Sequence, residues 1–217
     1  MRINSGLAFS GYLDKYYKKR ADSFYNFLVL EIIRFSKPGN ILDVGSGGGF
    51  FLELCKKWGL SAMGIEGSEE MIEKMNARYP GLKVIHHLLS DRFPIEDCSF
   101  QTVIFNEVIE HLELELQVHC LNEIFRLLVP GGCIIVHSPS KYNLLQKKED
   151  PTHINLLSPK ELSILLKNAG FEGMLNINSP LYILGKNRIS KKIIDFIFNK
   201  TKISRLSSTA SFIAYKK

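Results

Sequence analysis

The sequence predicts an α/β fold, a mostly parallel sheet covered by helices on both faces, and three observations predict it. Short apolar runs alternate along the chain with stretches of helical spacing, the pattern of βαβ units. One run, Ile41-Leu42-Asp43-Val44, breaks into Gly45-Ser46-Gly47-Gly48-Gly49 and resumes as the helix-forming Phe51-Leu52-Glu53-Leu54-Cys55. Strand, tight loop and helix in that order place backbone without Cβ atoms at a strand's carboxyl end, with helix amides aimed at whatever binds there. The next run ends on Glu66, 21 residues beyond Gly45, where a carboxylate can accept both hydroxyls of a ribose.

Each element follows from local chemistry. Residues 12–36 mix aromatic and basic positions (Tyr16, Tyr17) and then turn apolar through Phe24, Phe27, Leu28, Leu30, Ile32 and Phe35; they suit one or two amphipathic helices, stopped by Lys37-Pro38-Gly39. The first strand is 40–44, and the helix after the glycine loop runs to about Trp58. Gly59-Leu60 turns the chain into Ser61–Ile65, capped by Glu66. Ser68 is a candidate N-cap, with Glu69 and Glu70 in the first turn of a helix ending before Pro80-Gly81. A third strand, Lys83 to about His87, leads into a polar loop with Ser90, Asp91, Pro94, Glu96 and Asp97. Thr102–Phe105 is the fourth strand and ends at Asn106-Glu107. A long amphipathic helix from about Glu115 to Val129 stops at Pro130-Gly131-Gly132, and Cys133–His137 is the fifth strand. Ser158-Pro159 opens another helix with proline at its first position, ending at Gly170. Strands near Met174–Asn178 and Ser208–Tyr215 close the chain. The expected organisation is one domain over 1–217: a helical cap at 1–39, a core at 40–179, a basic amphipathic insertion at 180–207 and a final strand at 208–217.

Composition narrows the class. With 217 residues, 45% hydrophobic and 23% charged, the chain can bury a substantial core. Cys55, Cys98, Cys120 and Cys133 never form a Cys-x-x-Cys pair, which disfavours a zinc site or disulfide scaffold and suits a reducing cytosol. The opening residues lack the apolar core of a signal peptide, and Phe24–Phe35 is too short to span a bilayer; the expected location is cytoplasmic. Nine of the 28 Lys and Arg, against one of the 22 Asp and Glu, fall in 186–217, so that segment carries +8 and the remainder −2. No metal site is expected: His86-His87 are adjacent on a strand and face opposite sides.

The loop's glycines, Gly45-x-Gly47-x-Gly49, depart from a dinucleotide fingerprint, whose third glycine falls one position later, at Phe50. A Gly-Lys-Ser/Thr phosphate loop is also missing. Asp43–Gly49 followed by Glu66 instead resembles the first two motifs of class I S-adenosylmethionine-dependent methyltransferases. The resemblance continues through Phe93-Pro94-Ile95, Ser99-Phe100, Asn106-Glu107-Val108-Ile109-Glu110-His111-Leu112, Leu127–Gly132 and Ser138-Pro139. His153–Pro159 and Ala169-Gly170-Phe171 look like the later segment of the branch containing ubiquinone-biosynthesis O-methyltransferases. The match spans roughly residues 38–175.

That resemblance implies a Rossmann-like, doubly wound sheet of seven strands with the last antiparallel, and S-adenosyl-L-methionine as cofactor. It places the methionyl end over Gly45, Ser46 and Gly47, the ribose on Glu66 and the adenine near Asp91. Asp91 lies two positions before Phe93, closer than the family's usual acid, so Leu89 or Ser90 is the alternative for the aligned position. Gln101 stands where the family usually has an acid. Asp43 either faces the cofactor or fixes the glycine loop by accepting its amides. Asn106, ending the fourth strand beside the loop, is a further cofactor contact. Methyl transfer from a sulfonium is an in-line displacement that positioning and desolvation can drive, and a base is needed only where a hydroxyl must lose its proton. His111 and His153 are the candidates for that base or for acceptor contact; His137 is a strand-end residue.

The expected partner is a small-molecule acceptor, methylated at oxygen. In the insertion, Ile189, Ile193, Ile194, Ile197 and Phe198 share a helical face flanked by Arg188, Lys191, Lys192 and Lys200. That stretch, 188–205, reads as a lid over the acceptor pocket or as a peripheral membrane contact suited to a lipid-like acceptor. Nucleic acid is disfavoured, because the basic residues form no known RNA-binding motif. A tRNA or protein methyltransferase and a non-catalytic module are the alternatives.

Overall fold

The computed structural model describes residues 22–143, 150–179, 205 and 207–217, with side chains from Tyr25 onward. The insertion helix Ile189–Lys200, the stretch 188–204 and Tyr16-Tyr17 lie outside these residues.

The described helices are α1 (Asp22–Phe35), α2 (Phe50–Lys57), α3 (Glu69–Arg78), α4 (Leu114–Leu127) and α5 (Pro159–Asn168). The strands are β1 (Ile41–Val44), β2 (Ala62–Glu66), β3 (Val84–His86), β4 (Phe100–Asn106), β5 (Leu128–Pro139), β6 (Glu172–Asn176) and β7 (Thr209–Tyr215), and a 3₁₀ turn spans Ile109–His111. The seven strands form one sheet in the order β3-β2-β1-β4-β5-β7-β6, with β7 antiparallel to both its neighbours. Chain order reverses between β1 and β4, so the carboxyl ends of these two strands flank the crevice where open α/β sheets bind their ligands.

Alternation along the central strands builds two cores. Val103 and Phe105 of β4, Ile134 and Val136 of β5, and Phe212 and Ala214 of β7 face one side, against Leu121, Ile124 and Leu127 of α4 and Leu162 and Leu166 of α5. Ile104, Ile135 and Ile213, the residues between them, face the other, with Leu28, Val29 and Ile32 of α1 and Phe51 and Cys55 of α2. Each such aliphatic side chain contributes about 1.5–3 kcal/mol on burial. This two-sided burial explains why the strands read as continuous apolar runs rather than alternating ones.

Local signals hold where the chemistry is local. Ser68 accepts from the Met71 amide at 3.3 Å and caps α3. Ser158 and Glu161 form a capping box with Pro159 in the first turn, and Gly170 (φ 97°) follows the end of α5. One boundary moves. The helix expected to reach Val129 ends at Leu127, because Leu128 already pairs with Phe100 and β5 runs on through Pro130-Gly131-Gly132 past an irregularity in its register with β4. The half-buried Arg126 fork ties α4 to the preceding loop: it donates to Glu123 Oε1 and Oε2 (3.0 and 2.6 Å), to Asp97 (2.6 Å) and to the Ile95 and Phe93 carbonyls (2.8 and 3.1 Å).

Candidate functional site

The glycine loop lies at the switch point, and its amides are held from behind. Gly45 and Ser46 donate to the Ile65 carbonyl of β2 (2.9 and 3.0 Å), and Gly49 donates to the Ser46 carbonyl (3.0 Å). Gly45 needs its glycine twice over: its φ is 75°, and a Cβ would meet Val108 Cγ2 at 2.5 Å. Gly47 (φ 51°) differs, since a Cβ there would meet only the Met71 methyl at 3.6 Å. The loop is closed against the turn after β4 at Gly45 and open at Gly47.

Glu66 is the carboxylate that organises this loop. Its Oε2 accepts from the Gly47 amide at 2.7 Å and its Oε1 from the Ser68 amide at 2.9 Å. Burial raises its carboxyl above the usual range, against the opposing pull of the amides of Ser68, Gly47 and Gly67 and of His86. Each carboxylate oxygen has a second acceptor site, so a ribose can still be bound.

Asp43 does not take the loop-fixing role. Among the described residues the Gly45, Ser46, Gly47 and Gly49 amides go to Ile65, Glu66 and Ser46, so loop-fixing by a carboxylate falls to Glu66 instead. The reason is geometric: Asp43 lies within β1, two residues before the chain turns, whereas Glu66 ends the neighbouring strand level with the loop. Asp43 is buried, and desolvation, together with the neighbouring Glu66 charge, pushes its carboxyl up to about 8.

Asn106, the half-buried last residue of β4, has its side-chain Oδ1 buried without a hydrogen-bond partner among the described residues. Glu107 follows in the left-handed region (φ 53°), rare for a residue with a side chain and a mark of a turn held for a purpose. Asp91 is exposed; its carboxylate accepts from Ser90 Oγ at 3.3 Å, and its carbonyl contacts His119 Nε2 at 3.2 Å. No described contact joins Asp91 to the loop.

The turn past β4 carries the second half of the site. His111 and His153, 42 positions apart, meet edge-on with ring centroids 4.8 Å apart. His111 Nδ1 lies 3.1 Å from the Thr152 carbonyl and 3.0 Å from Thr152 Oγ1, which itself donates to Asp150 Oδ1 at 2.5 Å. A carbonyl can only accept, so Nδ1 carries a proton. His153 Nε2 lies 3.9 Å from Glu110 Oε1 and 3.7 Å from Asp150 Oδ2. The segment is anchored through backbone: Asn155 donates to the Glu110 carbonyl at 3.0 Å, and the buried Gln117 amide reaches the carbonyls of Ile109 (2.8 Å) and Asn155 (3.3 Å).

Sequence reasoning names the two histidines and misses the groups around them. Glu110 is fully buried, and its adjacency to His111 was the only local signal; nothing in the spacing announces Asp150, Thr152 or Gln117. Where no metal ligands are expected, Glu110, His111 and His153 bring one ligand-type atom each within 4.8 Å of one another. His86 and His87 do diverge, His86 Nε2 contacting the Gly67 carbonyl at 3.2 Å while His87 turns edge-on to Phe93. His137 is tied off by Ser211, 2.6 Å from its Nδ1.

An open, doubly wound sheet with a glycine loop at its switch point and a strand-end carboxylate holding that loop defines a nucleoside-cofactor domain. Residues 13–175 match the methyltransferase domain family, and the chain belongs to it. A probable S-adenosylmethionine-dependent methyltransferase of Mycolicibacterium smegmatis is 32% identical over 136 residues, covering 61% of this chain and 52% of that protein. The mitochondrial ubiquinone biosynthesis O-methyltransferase of Bos taurus is 27% identical over 156 residues, covering 60% of this chain and 40% of its own length. The alignments thus span about half or less of these relatives. An S-adenosylmethionine-dependent methyltransferase from Archaeoglobus fulgidus shares the fold with a TM-score of 0.74 and 21% identity, over 96% of this chain and 100% of that one.

S-adenosylmethionine is the cofactor that this family and fold imply, and the residues present fit it. Gly47 leaves the loop without a Cβ on its open side. Glu66 keeps acceptor capacity for a ribose, and Asn106 Oδ1 offers a buried acceptor at the adjacent strand end.

Proposed function

We infer that this chain transfers the methyl group of S-adenosylmethionine to a hydroxyl oxygen of a small, apolar molecule. The observation that carries the reading is the meeting of His111, on the turn that follows Asn106, with His153 from the segment after β5. Gly45, Ser46 and Gly47 hold the methionyl end, Glu66 the ribose, and Asn106 a further contact. The bound cofactor supplies an electrophilic methyl group. The chain's own residues orient the acceptor oxygen in line with it, exclude water and take up the hydroxyl proton, a task for which the imidazole of His111 or His153 is the candidate. The names of the ubiquinone biosynthesis relatives support oxygen as the acceptor atom and a lipid-like acceptor, and the basic, amphipathic stretch 188–205 is in keeping with an acceptor drawn from a membrane surface.

The test is release of S-adenosylhomocysteine from labelled S-adenosylmethionine. The purified chain is offered phenols, catechols and prenylated phenols in liposomes, with total tRNA and a basic protein as the alternative acceptors. Methyl ether formation on a phenolic acceptor supports the reading. Methylation confined to tRNA or protein overturns it in favour of a macromolecular substrate. Tight cofactor binding with no product from any acceptor class favours a non-catalytic module.

A further inference from the structure

We propose that His137 and Ser211, with Asn178 behind them, hold a second oxygen of the acceptor, a hydroxyl or carbonyl several bonds away from the oxygen that is methylated. The inference deepens the methyltransferase reading and rests on it for the acceptor; it makes these residues determinants of specificity rather than of chemistry.

The sheet face under α1 is apolar and turns polar at one level. Ile104 of β4, Ile135 of β5 and Ile213 of β7 pack there against Leu28, Val29 and Ile32. One step nearer the carboxyl edge of the parallel strands, the residues on the same face are Asn106, His137 and Ser211. Asn106 pairs with His137 and His137 with Ser211, so the three stand in one row across adjacent strands. Asp43 pairs with Ile104, which brings Gly45 level with Asn106 at the head of that row. The row starts at the glycine loop and runs away from it. At about 4.8 Å per strand, His137 lies on the order of 10 Å from Gly45.

Polar groups at these positions cost stability that the fold alone does not require. Ser211 is fully buried and His137 nearly so, where an apolar side chain would gain from burial. Instead Ser211 Oγ lies 2.6 Å from His137 Nδ1, and Asn178 Oδ1, from the segment after β6, accepts the Ser211 amide at 2.6 Å. These bonds fix the pair in place. The series ends on an unmatched group: Asn178 Nδ2 is buried with no hydrogen-bond partner among the described residues, a donor that an oxygen of a ligand would satisfy. Phe27 of α1 meets His137 edge-on, ring centroids 6.2 Å apart, and gives the polar pair an apolar wall.

This row and the His111–His153 pair reach the strand ends from opposite faces. Ile109 of the 3₁₀ turn joins the core on the α4 side, and Gln117 of α4 reaches the Ile109 and Asn155 carbonyls, whereas His137 lies under α1. An acceptor placed between them directs its reacting hydroxyl to the first pair and its far oxygen to the second. The ligand class is a phenol or alcohol with an apolar body and a hydroxyl or carbonyl at the far end. A buried site that hydrogen-bonds such an oxygen discriminates strongly against the analogue lacking it, because the site's own polar groups are then left unpaired.

The experiment uses the full chain, labelled S-adenosylmethionine and matched acceptors: para-hydroxyacetophenone and tyrosol, each against para-ethylphenol, which lacks the second oxygen. The wild type should prefer an oxygen-bearing member by about tenfold or more in kcat/KM, with the difference in KM rather than kcat. Ser211→Ala and His137→Phe should each reduce that preference to within about threefold. The half-buried Asn178→Ala is the variant least able to disturb the core and should reduce it likewise, with thermal melts showing that each variant is folded. Ser163→Ala, whose hydroxyl bonds only within α5, should keep the preference. Calorimetry of the same acceptors on the chain saturated with S-adenosylhomocysteine reads the preference without turnover. No preference by the wild type in turnover or in binding, or a preference unchanged in Ser211→Ala and Asn178→Ala, overturns the site. The two readings fail separately: methyl transfer without oxygen preference sinks the site alone, and oxygen-dependent binding that Ser211→Ala abolishes, with no methyl transfer, sinks the methyltransferase reading alone.

Discussion

Replacing Glu66 with alanine separates its proposed role in cofactor binding from its role in the fold. Its two oxygens each accept one amide, from Gly47 and Ser68, and each retains an acceptor site for a ribose hydroxyl. A hydrogen bond to a charged group is worth about 1.5–3 kcal/mol, so losing both ribose bonds costs about 3 kcal/mol or more. That corresponds to a dissociation constant for S-adenosylmethionine higher by on the order of 100-fold. Stability should change little. Desolvation is the largest influence on this carboxyl and outweighs its amide bonds, so the charged form contributes little net stability. A loss of about 1 kcal/mol lowers the melting temperature of a domain this size by about 2–4 °C. Glu66→Gln keeps one acceptor oxygen and should fall between, at roughly tenfold. Calorimetry with S-adenosylmethionine and S-adenosylhomocysteine, beside thermal melts of the apo chain, reads both quantities. Affinity within about threefold of wild type in a folded Glu66→Ala chain would refute the assignment.

Three further outcomes are expected. Gly45→Ala combines a φ of 75° with a Cβ 2.5 Å from Val108, costs about 1–3 kcal/mol and displaces the turn leading to His111; Gly59→Ala, with a φ of 69° and nothing within 4 Å, should cost about 1 kcal/mol and leave cofactor affinity unchanged. Arg126→Ala strands the Glu123 carboxylate and should cost about 3 kcal/mol, while Arg126→Lys rescues only part because an ammonium cannot reproduce the fork. Since the Arg126 bond holds the Glu123 carboxyl below the usual range, that stability is present above its unfolded value and lost as pH falls, so urea titrations should show a flatter acid limb in the alanine variant. Asp43 has the opposite sign: its carboxyl is raised to about 8 from 3.8, so its contribution is full below about pH 4 and lost as pH rises through about 8. Apo Asp43→Asn should therefore gain stability over wild type between pH 6 and 9, on the order of 1 kcal/mol or more, and equal losses at both ends of that range would contradict the burial argument.

Much of the fold was legible because its signals are local. Ser68 caps its helix, Ser158 and Glu161 box theirs with Pro159 in the first turn, and the apolar runs of the central strands are buried on both faces. The Val129 boundary was not, because Leu128 joins the sheet through Phe100, a partner 28 residues away that helix periodicity cannot register. The loop-fixing alternative for Asp43 failed for the same reason: a carboxylate two residues from a glycine loop looks like its anchor, and only the pairing of β1 with β2 brings Glu66 level with the Gly47 amide.

The sequence by itself determined the donor half of this protein. Four glycines in five positions, with a carboxylate at the next strand end, dictate a loop conformation and an acceptor that follow from backbone sterics and strand length. Tertiary structure decided the other half. His111 and His153 are separated by a helix and the longest strand, and Glu110 reads in sequence as one more acid beside a turn. They become a single, largely buried cluster only because Gln117 and Asn155 tie two distant segments to the same backbone, a relation of space that no spacing along the chain encodes.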